Sequence, residues 1–426
     1  MTQSFNRREF LKRGGGAAAL PLVASPLLAR GVHHGSDVLR VGLVGCGGRG
    51  GGAAAQALQA DPGCRLVAMG DAFADRMEGC FQGLKEAFPD QVLVDEEHKF
   101  AGLDAYQKVL DSELDVVLLA TPPGFRPAHI AAAVDAGVHI FAEKPIAVDA
   151  PGVRSVLESA RRAQEKGLAL ASGFCWRASY PERGIYGQIA EGRLGEIRTV
   201  YGTYLTGPLW YHPRKENWTE AEYQLRNWYY YTYLSGDHIV EQAVHTIDKI
   251  AWAMQDEAPV QCTAMGGREV RVDEKWGNIY DHFSVVYEYA NGALGILLCR
   301  QIPGCSNDNS DRVLGSKGIA RINGWTGLHS IEGENPWQYA GPRNNMYQTE
   351  HDELFASIRR GEPINQGVSM AKSTMLAIMG RMSAYTGKTL TWDQVMNSQE
   401  SLMPENMAWG DMPRPALAVP GKTPFV

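Results

Sequence analysis

The sequence predicts an α/β protein that begins with a doubly wound parallel sheet and continues into a second α/β domain with a mainly antiparallel sheet. Short apolar runs alternate with helix-like segments from Val38 to Glu143, which is typical of parallel strands covered on both faces. A G-x-G-x-x-G turn follows the first of these runs. After residue 150 the strand-like stretches are longer, and Asn291-Gly292 joins two of them as a hairpin turn.

Each element of the first domain, residues 37–150, is predicted from an apolar run or a helical period. Its strands are residues 39–45, 64–70, 115–120 and 139–142, and its helices lie near residues 51–60, 75–88, 105–112 and 127–136. In the second domain, residues 151–426, helices are predicted near 151–164, 182–191, 349–360 and 369–385. The predicted strands of that domain are residues 196–205, 260–265, 283–289 and 293–299.

Residues 1–30 differ in kind from the rest of the chain. The pair Arg7-Arg8 lies shortly before Phe10-Leu11-Lys12 and an apolar stretch from Gly14 to Ala29, the pattern of a twin-arginine export signal. The alternatives are a short membrane anchor or a basic tail, but the stretch is shorter than the roughly 20 residues that span a bilayer. We therefore expect a periplasmic or otherwise extracytoplasmic protein with no stable membrane insertion after export.

The charge balance argues against nucleic-acid partners. The chain has 41 basic and 48 acidic residues, a net charge of −7, and the export signal is itself basic, so the remainder is more acidic still. Nucleic acids reward basic patches, and none stands out after the signal. The seven cysteines show no C-x-x-C spacing, most are predicted to be buried apolar side chains, and no metal site is predicted.

The glycine-rich turn predicts a dinucleotide site at Gly45, Gly47, Gly48, Arg49 and Gly50. The first glycine of the motif permits the tight turn, the second lets the backbone approach a pyrophosphate, and the third lets the helix pack on the strand. The following helix offers its N-terminal N–H groups to the phosphates.

Asp71 ends the second apolar strand, 21 residues after Gly50. A carboxylate there accepts hydrogen bonds from the adenosine ribose and repels a 2′-phosphate, which favours NAD over NADP. The alternative role for Asp71 is to cap the following helix.

Two further motifs lie where predicted parallel strands end, at the edge of the sheet where such folds bind ligands. They are Thr121-Pro122-Pro123 and Glu143-Lys144-Pro145. With these motifs the sequence resembles the glucose-fructose oxidoreductase, inositol dehydrogenase and rhizopine-catabolism (Gfo/Idh/MocA) family of oxidoreductases. The resemblance runs from about Val38 to Asp393, and it also includes the motifs at residues 173–177, 192–197, 241–248 and 385–388.

The resemblance implies a Rossmann domain followed by a domain with a large open sheet, through which subunits assemble into homo-oligomers, as dimers or tetramers. It places Thr121, Pro122 and Glu143 in the cofactor site. It also implies that Lys144 lies near both the nicotinamide and the reacting hydroxyl, where its charge steadies the substrate oxygen. The alternative is a surface lysine paired with Glu143.

A helix is predicted around the motif at 241–248, because Val240, Val244, Ile247 and Ala251 form one apolar stripe. Glu241, His245 and Asp248 have the same spacing and form a polar stripe beside it. His245 is the expected catalytic base, and Glu241 is expected to orient its imidazole or to hold a substrate hydroxyl. The purely structural alternative is a helix stabilised by pairing between Glu241 and His245.

The chain departs from the family pattern D-x-G-x-H-x-x-D at Glu241 and Ala243, which should reshape the pocket. Arg126 stands where the family commonly has histidine, and could contact an acidic group of the substrate or be solvated. His238 is a weaker candidate for a catalytic role than His245, and its alternative is a position at the start of the helix without a role in catalysis.

Aromatic residues are concentrated between Trp210 and Tyr233, just before this helix. Aromatic rings stack on the apolar faces of sugars, so we expect a carbohydrate or polyol substrate, contacted by Trp228, Tyr231, Arg177 and Asp248. Packing in the core or at a subunit interface is an equally good account of most of these aromatic side chains.

The first functional hypothesis is a dehydrogenase that oxidises a secondary hydroxyl of a sugar, polyol or derivative with a tightly bound NAD. Its catalytic residues are His245, Lys144 and Glu241. Two alternatives remain: a redox-neutral NAD-dependent glycoside hydrolase or epimerase, and a sugar-binding protein without catalysis.

Overall fold

The structure, a computed structural model, describes residues 38–405 and 407–426. The predicted export signal lies outside the described residues. In the described part, no helix is both long enough and apolar enough to cross a membrane.

The first sheet is parallel throughout and has six strands in the described part of the chain, in the order β3-β2-β1-β4-β5-β6. The strands are β1 Leu39–Val44, β2 Cys64–Asp71, β3 Lys99–Ala101, β4 Val116–Leu119, β5 His139–Ala142 and β6 Leu170–Ser172. Every residue of β4 is buried, as expected for a central strand that is covered on both faces. The predicted doubly wound sheet and its four predicted strands are confirmed.

Strands β3 and β6 were not predicted. Each has three residues, too few to show an alternation of apolar and polar side chains. Because β6 pairs with β5 and lies after residue 150, the parallel sheet extends beyond the boundary expected from the sequence.

Helices cover both faces of this sheet: α1 Gly48–Ala60, α2 Ala74–Ala87, α3 Ala105–Leu110, α4 Arg126–Ala136 and α5 Ala150–Glu165. Helix α1 packs on α11, Met346–Arg359, from the C-terminal half of the chain. Leu354 and Phe355 of α11 are buried in the same apolar cluster as Ala57 and Leu58 of α1. The late helix therefore completes the cover of the first sheet.

The second sheet is mixed and mostly antiparallel, with nine strands among the described residues in the order β14-β13-β12-β11-β7-β10-β9-β8-β15. Its strands are β7 Ile197–Thr206, β8 Gln261–Gly267, β9 His282–Glu288, β10 Leu294–Gln301, β11 Asp311–Gly315, β12 Gly318–Asn323, β13 Leu328–Gly333, β14 Trp337–Gln338 and β15 Leu390–Thr391. The hairpin between β9 and β10 is confirmed, and Gly292 adopts a φ of +80° in its turn.

One face of the second sheet packs on helices. Gly295 of β10 faces Ile250, because a Cβ built on that glycine would lie 2.8 Å from the Ile250 side chain. The remaining helices are α6 Tyr180–Ala190, α7 Glu220–Arg226, α8 Thr232–Ser235, α9 His238–Glu241, α10 Val244–Ala253, α12 Gly367–Thr386 and α13 Trp392–Met396. Both α10 and α12 contact this sheet.

The single helix predicted over 240–251 is wrong. The structure has two helices, α9 and α10, which are interrupted at Gln242-Ala243. The Ala243 N–H donates to the carbonyl of His238, five residues back, instead of to that of Ile239. The interruption leaves the Glu241 carbonyl for the Lys144 ammonium. Local breaks of this kind are common at functional sites, and side-chain periodicity does not reveal them.

Candidate active site

The glycine turn between β1 and α1 is built as the motif predicts. Gly45 adopts a φ of +94°, and a Cβ there would lie 2.6 Å from the backbone of Ala120. A Cβ on Gly50 would lie 1.8 Å from the Gly45 carbonyl oxygen. Gly47 is different, since the nearest protein atom to its Cβ would be the Arg76 guanidinium at 3.9 Å. The first and third glycines are required by the fold, whereas the second leaves room for a ligand.

Asp71 braces the same turn. Its carboxylate accepts hydrogen bonds from the backbone N–H groups of Cys46, at 2.7 Å, and Phe73, at 2.9 Å. Burial raises the pKa of Asp71, and these hydrogen bonds oppose that shift. Each oxygen keeps a second lone pair, so the carboxylate can still accept from a ribose hydroxyl.

A cavity of about 470 Å³ opens over the turn. It fits a dinucleotide because it combines the glycine backbone, the N-terminus of α1 and the Asp71 carboxylate along one wall. Eight residues that were predicted for the cofactor site line this cavity: Gly45, Gly47, Gly48, Arg49, Gly50, Asp71, Thr121 and Pro122.

A second cavity of about 350 Å³ adjoins the first, and Arg49, Ala120, Thr121 and Trp228 line both. We call it the catalytic cavity, because Lys144, Glu241 and His245 line it together with Glu143. Residues that are about one hundred positions apart in the sequence thus meet beside the dinucleotide cavity.

Lys144 is held by the interrupted helix. Its ammonium donates to the Glu241 carboxylate, with 2.9 Å between Nζ and Oε1, and to the backbone carbonyl of Glu241. The side chains of Lys144 and Glu241 are 12% and 11% exposed, so this ion pair is largely removed from water. Glu241 therefore fixes Lys144, and the structure shows no contact in which it orients the imidazole of His245.

His245 lies at the start of α10, partly buried, with its ring edge-on to Phe174 at 6.3 Å between centroids. Burial lowers the pKa of His245 well below its ordinary value, and the nearby Lys144 and Lys249 ammonium groups lower it further. Its Nδ1 has no hydrogen-bond partner among the described residues. The imidazole is therefore neutral at physiological pH, as a proton acceptor must be.

Arg49 and Glu143 connect the two cavities. The Arg49 guanidinium lies 2.7 Å from Glu143 Oε1, and its Cζ atom lies 5.3 Å from the centroid of the Tyr347 ring. Glu143 is buried and also packs on Gly173, where a Cβ would lie 2.5 Å from Oε2. Glu143 thus pairs with Arg49, whereas Lys144 pairs with Glu241.

The structure separates Arg177 and Asp248 from the catalytic cavity, against the substrate contacts expected of them. Arg177 Nε donates to Asp248 at 2.9 and 3.0 Å, and its terminal nitrogens donate to Asp256. Both residues line another cavity, of about 240 Å³. Because their hydrogen-bonding groups are engaged with each other and with Asp256, they form an ion pair of the fold, in which Asp248 is buried and the Arg177 side chain is 22% exposed.

The aromatic residues between Trp210 and Tyr233 mostly pack in a core, so core packing explains them better than substrate binding does. Tyr231 is 1% exposed, packs against Tyr233 and lines neither the dinucleotide nor the catalytic cavity, which corrects its predicted substrate contact. Trp228 lines both cavities, and its substrate contact stays a prediction.

The structure also defines the positions of Arg126 and His238, whose roles the sequence left open. Arg126 is buried, and its guanidinium donates to the carbonyls of Thr121 and Pro145, so it is not solvated. Burial lowers the pKa of Arg126 to about 10. His238 is fully buried beside Asp237 and lines neither cavity, so it supports the fold.

Several residues of the catalytic cavity were missed from the sequence: Trp176, Tyr204, Gln242, Lys249 and Tyr347. Lys249 had a usable signal, since it lies four positions after His245 and so on the same side of a helix. The others come from separate elements, and only the tertiary fold brings them together. In the described part of the chain, no group of three or more His, Cys, Asp or Glu side chains is arranged to hold a metal ion.

Two family models match the chain. A model described as an oxidoreductase family with an NAD-binding Rossmann fold matches residues 39–173. A model described as the GFO/IDH/MocA C-terminal domain matches residues 185–321. Together they span more than half of the sequence and include Lys144, Glu241 and His245.

Relatives with named activities are distant. Inositol 2-dehydrogenase of Rhizobium meliloti is 27% identical over 322 residues, which are 75% of this chain and 86% of that protein. Trans-1,2-dihydrobenzene-1,2-diol dehydrogenase of Oryctolagus cuniculus is 26% identical over 217 residues, 50% of this chain and 56% of that protein.

Solved structures share the fold. Aldose-aldose oxidoreductase of Caulobacter crescentus, complexed with glycerol, has a TM-score of 0.64 at 19% identity, covering 83% of this chain and 99% of that one. The 3-ketoreductase KijD10 of Actinomadura kijaniata, in complex with NADP and TDP-benzene, has a TM-score of 0.61 at 19% identity and covers 81% and 98%. GenD2 of gentamicin A biosynthesis, in complex with NAD, has a TM-score of 0.64 at 20% identity and covers 85% and 98%.

Proposed function

Because the chain belongs to the Gfo/Idh/MocA family of NAD-binding oxidoreductases, we propose that it oxidises a secondary hydroxyl group of a sugar, polyol or derivative. The observation that carries the proposal is the placement of Lys144 and His245 in a cavity that shares a wall with the dinucleotide cavity. A substrate carbinol there lies between a neutral imidazole and a fixed ammonium. The inositol 2-dehydrogenase relative supports the substrate class.

In the proposed reaction the alcohol loses a proton and a hydride to become a carbonyl. His245 takes the hydroxyl proton, since its imidazole is neutral and faces the cavity. Lys144 steadies the oxygen as negative charge develops, and Glu241 holds the ammonium in place. When bound, the dinucleotide supplies the acceptor for the hydride. Removal of the proton and the hydride together balances the oxidation of the carbon.

We propose NAD rather than NADP as the cofactor. Asp71 supports this choice, because its carboxylate lines the dinucleotide cavity at the end of β2, where a 2′-phosphate would meet a negative charge. The predicted export signal suggests that the protein crosses the membrane with NAD already bound, since free NAD is scarce outside the cytoplasm.

The deciding experiment uses the purified mature protein. Denaturation followed by assay of the released nucleotide identifies the resident cofactor, and a panel of sugars, polyols and glycosides is then tested with and without added NAD or NADP. Oxidation of a sugar or polyol with formation of reduced nicotinamide is the expected result. Turnover of a glycoside or epimerisation with no net nicotinamide reduction would assign the redox-neutral alternative instead. Binding of sugars without turnover of any kind would assign the non-catalytic alternative.

We also propose a homo-oligomer, a dimer or tetramer, formed through the second sheet. Alternate residues of β10 point away from α10, and Ile296 and Leu298 are partly exposed on that face. Met265 of β8 is 73% exposed. Light scattering of the wild type and of Ile296→Lys tests this, since a charge in the contact should dissociate the subunits.

A further inference from the structure

The catalytic cavity extends past the catalytic residues. Trp176, Lys249, Asn309 and Trp325 line it, and none of these four residues lines the dinucleotide cavity. Lys249 lies one helical turn beyond His245 on α10, roughly 6 Å further along the helix axis. We call these four residues the outer subsite.

Two tryptophans form a corner in the outer subsite. Trp176 is buried, and the Lys249 ammonium lies 4.3 Å from its ring centroid. Trp325 meets it edge-on, with 5.2 Å between centroids and an interplanar angle of 90°. The ring of Trp176 is therefore fixed by its neighbours and forms a rigid wall.

Trp325 stays 61% exposed although its backbone is well held. It lies in the tight turn between β12 and β13, where Asn323 accepts hydrogen bonds from Thr326 N, through its side chain, and from Gly327 N, through its carbonyl. A large aromatic ring on a fixed turn at the rim of a cavity is a ready-made stacking surface for a ligand ring.

The polar groups of the outer subsite suit neutral hydroxyl groups. Lys249 Nζ donates to Asp311 Oδ2 at 2.9 Å, and the Glu182 carboxylate also lies close enough to interact with it electrostatically. These two carboxylates balance the ammonium, so the subsite has no excess positive charge for an acidic ligand. The side-chain carbonyl oxygen of Asn309 lacks a hydrogen-bond partner among the described residues and can accept from a hydroxyl.

We infer that the substrate is a neutral glycoside whose reacting ring lies beside Lys144 and His245 and whose second ring stacks on Trp325. This inference rests on the proposed function. A single sugar ring at the reacting end would leave the Trp325 indole in water. The cavity volume of about 350 Å³ lies in the range that holds ligands larger than one ring.

The test compares free glucose, galactose, mannose and N-acetylglucosamine with their 4-nitrophenyl glycosides, with NAD present throughout. For at least one sugar, we expect kcat/KM for the glycoside to exceed that for the free sugar by about tenfold or more, the size of one good stacking contact. Trp325→Ala should lower kcat/KM for the glycoside by about tenfold more than for the free sugar and so remove the preference, and Trp325→Phe should restore part of it.

Leu328→Ala is the matched control, because Leu328 is 43% exposed at the far side of the same turn and does not line the cavity. Equal kcat/KM for free sugars and glycosides, or an equal loss for both in Trp325→Ala, would overturn the inference. A change in oligomeric state in Trp325→Ala would also overturn it, because Trp325 would then be a subunit contact.

If no compound is oxidised, the proposed function fails, and calorimetric titration of the same pairs into the nucleotide-loaded protein decides the inference separately. Tighter binding of the glycosides that depends on Trp325 would support the outer subsite. Equal dissociation constants, or no binding of either class, would reject it.

Discussion

At the scale of single residues, His245 has the environment that the proposed chemistry needs. Its imidazole faces the catalytic cavity between Lys144 and Lys249, and both ammonium groups oppose its protonation. His245 stays the predicted base, but the sequence could not show that Glu241 would contact Lys144 instead. That partner was decided by the interruption between α9 and α10, which turns the Glu241 carbonyl and carboxylate to one ammonium.

We expect His245→Ala to lower kcat by about 10²- to 10⁴-fold, because a positioned base contributes roughly that factor. Nucleotide binding should be unchanged, since His245 does not line the dinucleotide cavity. Steady-state kinetics and nucleotide titration measure the two effects. His98→Ala is the control, because the His98 side chain is 42% exposed and lines neither cavity. Full activity in His245→Ala would reject this residue as the base.

The pH dependence follows from the direction of the His245 pKa shift. A base must be unprotonated to act, and burial together with two ammonium groups lowers the pKa of His245 below 6.5. The acid limb of kcat/KM should therefore lie below pH 6.5, and activity should persist into mildly acidic solution. In Lys144→Met one opposing charge is gone, so the limb of the residual activity should move to higher pH. A limb that stays in place would contradict the electrostatic coupling.

Asp248 tests whether its ion pair with Arg177 is structural. Asp248→Asn should lower the free energy of unfolding by about 1.5–3 kcal/mol, the range for a hydrogen bond to a charged group. Arg177 keeps Asp256 as a partner, which limits the loss. Denaturant unfolding measures the change, with the exposed Asp352→Asn as the control. An unchanged stability with a raised KM would restore the substrate contact that the sequence predicted.

At the scale of elements, the turn between β1 and α1 is the most predictable part of the molecule. Gly45 and Gly50 are required by contacts within a few residues and with the neighbouring strand end, so a local motif encodes them. The interruption between α9 and α10 lies at the other extreme. Its apolar side chains keep a helical spacing, so side-chain periodicity does not reveal the backbone change that accompanies the contacts of Glu241 with Lys144.

Gly47→Ala separates binding from folding. The nearest protein atom to the new methyl group would lie 3.9 Å away, so the fold should tolerate it. The same methyl group would project into the space left for the pyrophosphate, and we expect dinucleotide affinity to fall by about tenfold or more, the equivalent of at least roughly 1.4 kcal/mol.

Calorimetric titration with NAD and thermal unfolding measure these two quantities. Gly79→Ala in α2 is the control, because a methyl group there meets no atom within 4 Å and the position lies away from the cavity. Unchanged NAD affinity in Gly47→Ala would place the pyrophosphate elsewhere.

At the scale of the whole molecule, the predicted export signal remains a prediction. Replacing Arg7 and Arg8 by lysine should hold the protein in the cytoplasm, because the twin-arginine route reads the arginine pair. Cell fractionation with immunodetection measures this, and Lys12→Arg is the control that keeps the charge. Normal export of the double variant would show that residues 1–30 are not a twin-arginine signal.

The sequence by itself determined the parallel sheet, the glycine turn, the β9–β10 hairpin and the candidate residues Lys144 and His245. These features depend on local patterns: an apolar period, a required φ, or a motif at a strand end. Only the tertiary structure decided which charged side chains form ion pairs, because the partners of Glu241, Asp248 and Arg177 lie on distant elements. It also decided that Trp176 and Trp325 meet beyond the catalytic residues, because a short 3-10 helix and the turn between β12 and β13 come together there from distant parts of the sequence.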